Sequence, residues 1–285
     1  MERVALGIGG MGVTLAGGDT LHRAMALPGM RVFAVRRHLD GIEVVLDAET
    51  AVPECRWLQC EKLESTSGEF RLGIDKEGVY YCTFGGGVAL RYDMRQPDRV
   101  VCSSVEDETL LLYVLWIAYA LAGLHRGKVP VHSSTVVCDG RAVLCLGESG
   151  TGKSTHTRLW IENIAGSYLL NDDSPILAVE HGEVAVYGSP WSGKSPCFRQ
   201  ERRPVAALLR LEQRKENTIC PLRVLEAFAA LQPSCPPLLA HDERLTDMMV
   251  DFISNVIERT AVFRMGCLPD AAAARLSHDT IFAGQ

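Results

Sequence analysis

Short alternations of apolar and polar residues fill the first third of the chain, and longer apolar runs follow. Between about 30 and 105, VFAVRR, IEVVLD, EFRLGI, VYYCTF, VALRY and RVVCSS each read as a strand, punctuated by DG, SG, KEG and GGG. Met30 opens the first of them, and the pattern predicts a small, largely antiparallel β-rich region. The run LLLYVLWIAYALAGL, Leu110–Leu124, predicts a helix buried on all sides. Acids precede it in VEDE and bases follow in HRGK, the polarity a helix dipole favours. Its 15 residues fall short of the ~18–20 that span a bilayer.

Beyond this helix the texture changes. VPVHSSTVV reads as a strand, CDGR as a turn and AVLCLG as a fully apolar strand. A helix follows through STHTRLWIENI, and SYLLNDD, VAVYGSP and VAALLRLEQ read as further strands. The tail, from RVLEAFAAL through LTDMMVDFISNVIE to DAAAARLSH, has helical periodicity. Strands alternating with helices predict an α/β core around a buried sheet, with a helical tail.

Composition narrows the classes. Of the 285 residues 47% are apolar and 22% charged, which is globular rather than disordered. A net charge of −6 argues against nucleic-acid and membrane-surface partners. The ten cysteines form no C-x-x-C pair, which argues against a structural zinc site. Several lie in apolar runs and read as buried hydrophobes, so a reducing, cytoplasmic location is expected.

Two glycine-rich stretches offer chemistry. GIGGMG, Gly7–Gly12, matches the dinucleotide-binding spacing, but no clean amphipathic helix follows it; residues 1–29 read instead as a glycine-rich leader outside the compact fold. The second stretch, Gly147, Glu148, Ser149, Gly150, Thr151, Gly152, Lys153, Ser154, fits G-x-x-x-x-G-K-[ST] in full, between an apolar strand and a helix. Its glycines let backbone N–H groups approach a triphosphate, Lys153 neutralises the β- and γ-phosphates, and the Ser154 hydroxyl suits Mg2+. Asp172 and Asp173 follow Lys153 by only about one helix and one strand. Two adjacent carboxylates repel, and a metal–phosphate site has work for both: one for Mg2+, one to take the proton of an attacking hydroxyl. Downstream, GSPWSGKSPC places Lys194 in a glycine- and serine-rich loop with Arg199, Arg202 and Arg203 after it. Lys194 and Arg199 are candidates for holding the acceptor or the transferring phosphate. Arg158, His156 and Asn217 are lesser candidates.

The order of His132 in VPVHSSTVV, GESGTGKST, and the close LLNDD pair resembles the HPr kinase/phosphorylase family, in the phosphoenolpyruvate carboxykinase-like branch of P-loop folds. The resemblance is close over 129–180. THTRLW, LLNDDSP and VYGSPWSGKSPC are similar to a bacterial HPr-kinase-related subgroup, extending it to about 217. The family's downstream Glu-Ile-Arg-Gly-type segment is absent, and GSPWSGKSPCFRQ stands roughly in its place. The resemblance implies a P-loop core with a mixed sheet over 106–285, after a β-rich region at 30–105. It implies an ATP- and Mg2+-dependent kinase acting on a hydroxyl, such as a serine of a small molecule, peptide or protein. Gly147–Thr155 would bind ATP, Ser154 and Asp173 the metal, Asp172 would be the general base, and His132 would orient the carboxylates. A homo-oligomer is compatible with the helical tail. Two other readings stand beside it: a nucleotide sensor that transfers nothing, and a dehydrogenase using GIGGMG.

Overall fold

Gly9 and Gly10 have φ of 63° and 75°, the left-handed pair that a tight two-residue hairpin needs. They join β1 (Glu2–Ile8) to β2 (Met11–Gly17), whose seven residues pair in register from Glu2↔Gly17 to Ile8↔Met11. GIGGMG is thus a hairpin turn, and residues 2–17 are two strands of a sheet, not a leader outside the fold. The computed structural model describes residues 1–37, 39–62, 68–193 and 195–283. These form two units, one of Met1–Arg126 with Leu238–Asp247, the other of Gly127–Pro237 with Met248–Gln285.

In the first unit, α1 (Asp19–Ala26) follows the hairpin, and Met30–Phe33 forms a single 3-10 turn where a strand was expected. Then come β3 (Gly41–Val45), β4 (Arg56–Lys62), β5 (Glu69–Ile74), β6 (Tyr80–Thr83), β7 (Ala89–Tyr92) and β8 (Arg99–Cys102). The eight strands form one sheet in the order β1-β2-β3-β8-β7-β6-β5-β4. β3 runs parallel to both β2 and β8, and the other pairs are antiparallel. The apolar helix α2 (Glu108–Leu124) belongs to this unit rather than to the one that carries residues 147–154. The Asp107 carboxylate accepts the Leu110 N–H at 2.7 Å and caps it. Residues 238–247 are held here as well: Asp242 accepts the Tyr80 hydroxyl, and the Arg244 guanidinium lies 5.2 Å over the Tyr80 ring.

The second unit contains β9 (Lys128–Pro130), β10 (Ser133–Cys138), β11 (Arg141–Leu146), α3 (Lys153–Asn163), β12 (Tyr168–Asp173), β13 (Ile176–Glu180) and β14 (Glu183–Tyr187). It continues with β15 (Arg202–Gln213), β16 (Thr218–Pro221), α4 (Val224–Leu231), the end of α5 (Glu243–Arg259), β17 (Ala261–Cys267) and α6 (Ala271–Ile281). The strand order is β12-β10-β11-β15-β14-β13-β9, and β17 pairs with β15 and β16. β11–β15 and β15–β17 are parallel; the remaining ladders are antiparallel. The tail is therefore not all helix, because β17 returns between α5 and α6 to join the sheet. The core lies where Leu159, Trp160 and Ile164 of α3 and Ala273 and Ala274 of α6 meet Val136, Val143, Cys145, Leu209 and Met265 of the sheet. The protein is thus a mixed α/β molecule with two mixed sheets and C-terminal helices. Among the described residues no helix is long and apolar enough to cross a membrane. All ten cysteines are free thiols.

Candidate functional site

β11 runs fully buried from Ala142 to Leu146 and stops at Gly147. A Cβ at Gly147 would lie 2.4 Å from Thr151 Oγ1, so glycine is needed for the loop to fold back on itself. Gly152, at φ 101°, starts α3 from the left-handed region. Residues 147–152 thus wrap the entrance to a helix whose first N–H groups lack partners of their own, the local geometry of an anion site.

Lys153 turns back under this loop. Its Nζ donates to the carbonyls of Gly147 at 2.9 Å and Glu148 at 3.1 Å, and meets His132 Nε2 at 2.9 Å. Burial lowers its pKa, opposed by the nearby charge of Asp173. An ammonium has only protons to offer, so His132 Nε2 is the acceptor and Nδ1 carries the ring proton. Nδ1 lies 3.2 Å from Asp173 Oδ1, which completes a chain Lys153–His132–Asp173. His132 is not within a strand: it lies in the break between β9 and β10, where its N–H bonds to the Ser234 carbonyl at 2.7 Å.

The two aspartates occupy different surroundings. β10 pairs with β12 so that Ser134 faces Asp172 and Ser133 faces Asp173. Asp172 is buried, and its Oδ1 accepts the Ser154 hydroxyl at 2.8 Å. Asp173 is half-exposed beside His132. Ser154, expected beside Asp173, is instead hydrogen-bonded to Asp172. Alternation along the strand sends adjacent side chains to opposite faces, which separates the pair.

Of the basic candidates, Lys194 lies outside the described residues. Arg199 is not brought to the acids. Its Nε donates to the Leu169 carbonyl at 2.8 Å and its guanidinium lies 5.0 Å over the Tyr168 ring, at the other end of β12. Arg202 pairs with Glu180 and Glu183, Arg203 with Glu201, and Arg158 with Glu162 one helical turn away. One cation that does stand by the loop is Arg210, which sequence reasoning missed. It pairs in register with Leu146, the residue before Gly147, and lies 3.9 Å from Glu148. The signal was a single arginine within the apolar strand VAALLRLEQ.

Asn171 was also missed. Its fully buried side chain donates to the Trp191 carbonyl at 3.1 Å and accepts the N–H groups of Asp173 and Ser174 at 3.1 and 3.0 Å. One amide thus fixes both the backbone of the aspartate pair and the SPW segment beside it. The Gly193 N–H then reaches the Asp172 carbonyl at 2.7 Å. A Cβ on Gly193 would lie 2.7 Å from that carbonyl oxygen, so the loop closes over the strand only with glycine there. At the far end of β11, Cys138, Asp139 and His278 cluster within 4.8 Å, but burial raises the Cys138 thiol pKa, the wrong direction for a thiolate ligand.

No protein-family model and no curated protein matches the chain. Among solved structures it is similar to the HPr(Ser) kinase/phosphatase from Coxiella burnetii, at 14% identity and a TM-score of 0.30, over 53% of this chain and 92% of that one. A likeness this distant carries no inference about activity.

Proposed function

We propose that the second unit is a P-loop phosphotransferase of the HPr-kinase-related kind, which moves the γ-phosphate of ATP to an alcohol group with the help of Mg2+. The observation that carries the reading is the joint geometry at the loop: Ser154 hydrogen-bonded to Asp172, and Lys153 linked through His132 to Asp173. Ser154 Oγ and Asp172 Oδ1 are hard oxygen donors of the type Mg2+ takes. When bound there, the ion would supply charge neutralisation on the phosphate oxygens.

The residues divide the remaining work. Backbone N–H groups of 147–155 and the Lys153 ammonium hold the triphosphate, and Arg210 adds positive charge beside the loop. Asp173, half-exposed and held by His132, accepts the proton of the acceptor hydroxyl. The new O–P bond forms as the bond from the γ-phosphorus to the bridging oxygen breaks, and ADP leaves. This reverses the division suggested by the sequence, in which Asp172 was the base. The Ser154–Asp172 hydrogen bond supports giving Asp172 to the metal instead.

The test is transfer from γ-labelled ATP to hydroxyl acceptors by the full-length chain. Label should appear in an acceptor with the native protein and vanish with Lys153→Ala. Transfer unchanged by Lys153→Ala would overturn the reading.

A further inference from the structure

A cavity of about 380 Å3 adjoins the phosphate loop, within the roughly 300–1,000 Å3 typical of small-ligand pockets. The loop and α3 line it with Thr151, Thr155, His156 and Leu159, and Gln213, Arg214 and the segment Cys267–Pro269 complete the lining. None of His132, Asp172 and Asp173 lines it. It therefore meets the loop away from the groups assigned to the acceptor. We propose that this cavity seats the base of the nucleotide, and that it does so by apolar contact and stacking, with little discrimination between purines. The proposal rests on the phosphate-loop reading above.

The chemistry of the lining points this way. Leu268 is 37% exposed, an apolar side chain standing open at the rim. Leu159 and Pro269 add apolar surface, and Arg214 brings a planar guanidinium, steadied by Glu212 at 2.6 Å, that stacks on flat rings. Three of the wall's backbone groups are already engaged. The Leu268 N–H donates to Asn217 Oδ1 at 2.7 Å, the Cys267 carbonyl accepts the Arg214 N–H at 3.3 Å, the Leu268 carbonyl accepts the Asp270 N–H at 2.9 Å, and Pro269 has no N–H. A base set against this wall finds surface rather than edge partners. That is the condition for weak base selectivity, since strong discrimination needs committed hydrogen bonds.

The pocket is also preformed. Asn217 holds Leu268 by one end of its amide and Asp270 by the other, at 3.0 Å. Asp270 in turn caps α6 through the Ala273 N–H at 2.8 Å. Gln213 Nε2 donates to the Gly150 carbonyl at 3.1 Å, which fastens the cavity to the loop. A held wall loses little freedom on binding.

Calorimetric titration of the full-length chain with Mg·ATP, Mg·GTP and Mg·methyl triphosphate tests this. ATP and GTP should bind within about threefold of one another, and both ~10-fold or more tighter than methyl triphosphate, the scale of burying one apolar group. Leu268→Ala and Arg214→Ala should each remove most of that margin and leave methyl triphosphate unchanged. The proposal is overturned if methyl triphosphate matches ATP, if both variants bind ATP as the native chain does, or if GTP binds more than tenfold worse. If methyl triphosphate binds and Lys153→Ala abolishes it, the phosphate-loop reading stands whatever the base does. If none of the three ligands binds, both fall.

Discussion

Asp172 and Asp173 are neighbours in sequence and strangers in environment. The first is buried against a hydroxyl; the second is half-exposed against an imidazole. A general base must reach its proton and release it, which suits the exposed member. Asp173→Asn is expected to lower transfer by ~10^2–10^4-fold, the usual yield of a positioned base, with ATP affinity held within about threefold. Asp172→Asn should instead weaken Mg·ATP binding. Steady-state transfer and nucleotide titration of the two variants separate them, and full transfer by Asp173→Asn would return the base role to Asp172. His156 gives a second prediction, on stability. Burial pushes its pKa from 6.5 down to about 4. Between those values the unfolded chain takes up a proton that the folded one refuses, so stability falls as pH drops from about 6.5 to 4 and is unaffected above. The depression corresponds to ~3 kcal/mol at the acid end. Urea midpoints of the native chain and His156→Gln should converge over that window; parallel profiles would refute the assignment.

At the scale of elements, Asn171 makes the aspartate strand and the SPW segment one object. Removing its side chain leaves the Asp173 and Ser174 N–H groups and the Trp191 carbonyl without these partners. Asn171→Ala should cost ~2–3 kcal/mol and reduce transfer more than ATP affinity, since the loop glycines and Lys153 are untouched. Equal losses in the two would mean that the amide is only structural. The same strand marks what the sequence could express. IEVVLD, EFRLGI, VYYCTF and SYLLNDD were legible as strands because alternation or an apolar run between turn residues is a local property. The edge strand β4, RWLQCEK, is mostly exposed and carries little apolar contrast. β17, AVFRMGC, is a strand because β15 runs parallel beside it, a partner some fifty residues away. Sequence periodicity has no access to such a pairing, so that segment merged with its helical flanks. The glycine-rich turn at 147–152 was legible as a strand-to-helix connection because its motif is contiguous, whereas Arg210 reaches it only through the register of β11 with β15.

Over the whole molecule, two glycine-rich segments of similar appearance lie in separate compact units and do different work. Gly9 and Gly10 turn a hairpin that joins two paired strands, whereas residues 147–152 turn a strand into a helix and leave N–H groups to be filled. Deleting residues 1–29 cannot tell a dinucleotide site from a turn, because it removes two strands of the eight-stranded sheet along with the motif. Hydrogen exchange on the intact chain can. A ligand that binds only the folded site stabilises it by ~2.7 kcal/mol at a hundred times its dissociation constant, and that gain appears as slower exchange where opening breaks the site. With Mg·ATP, amides of 147–157 and of 171–173 should slow by up to about a hundredfold, while those of 6–13 keep their native rates. With a nicotinamide dinucleotide neither segment should respond. Slowed exchange at 6–13 with the dinucleotide, and none at 147–157 with Mg·ATP, would exchange the roles of the two segments and with them the reading of the protein.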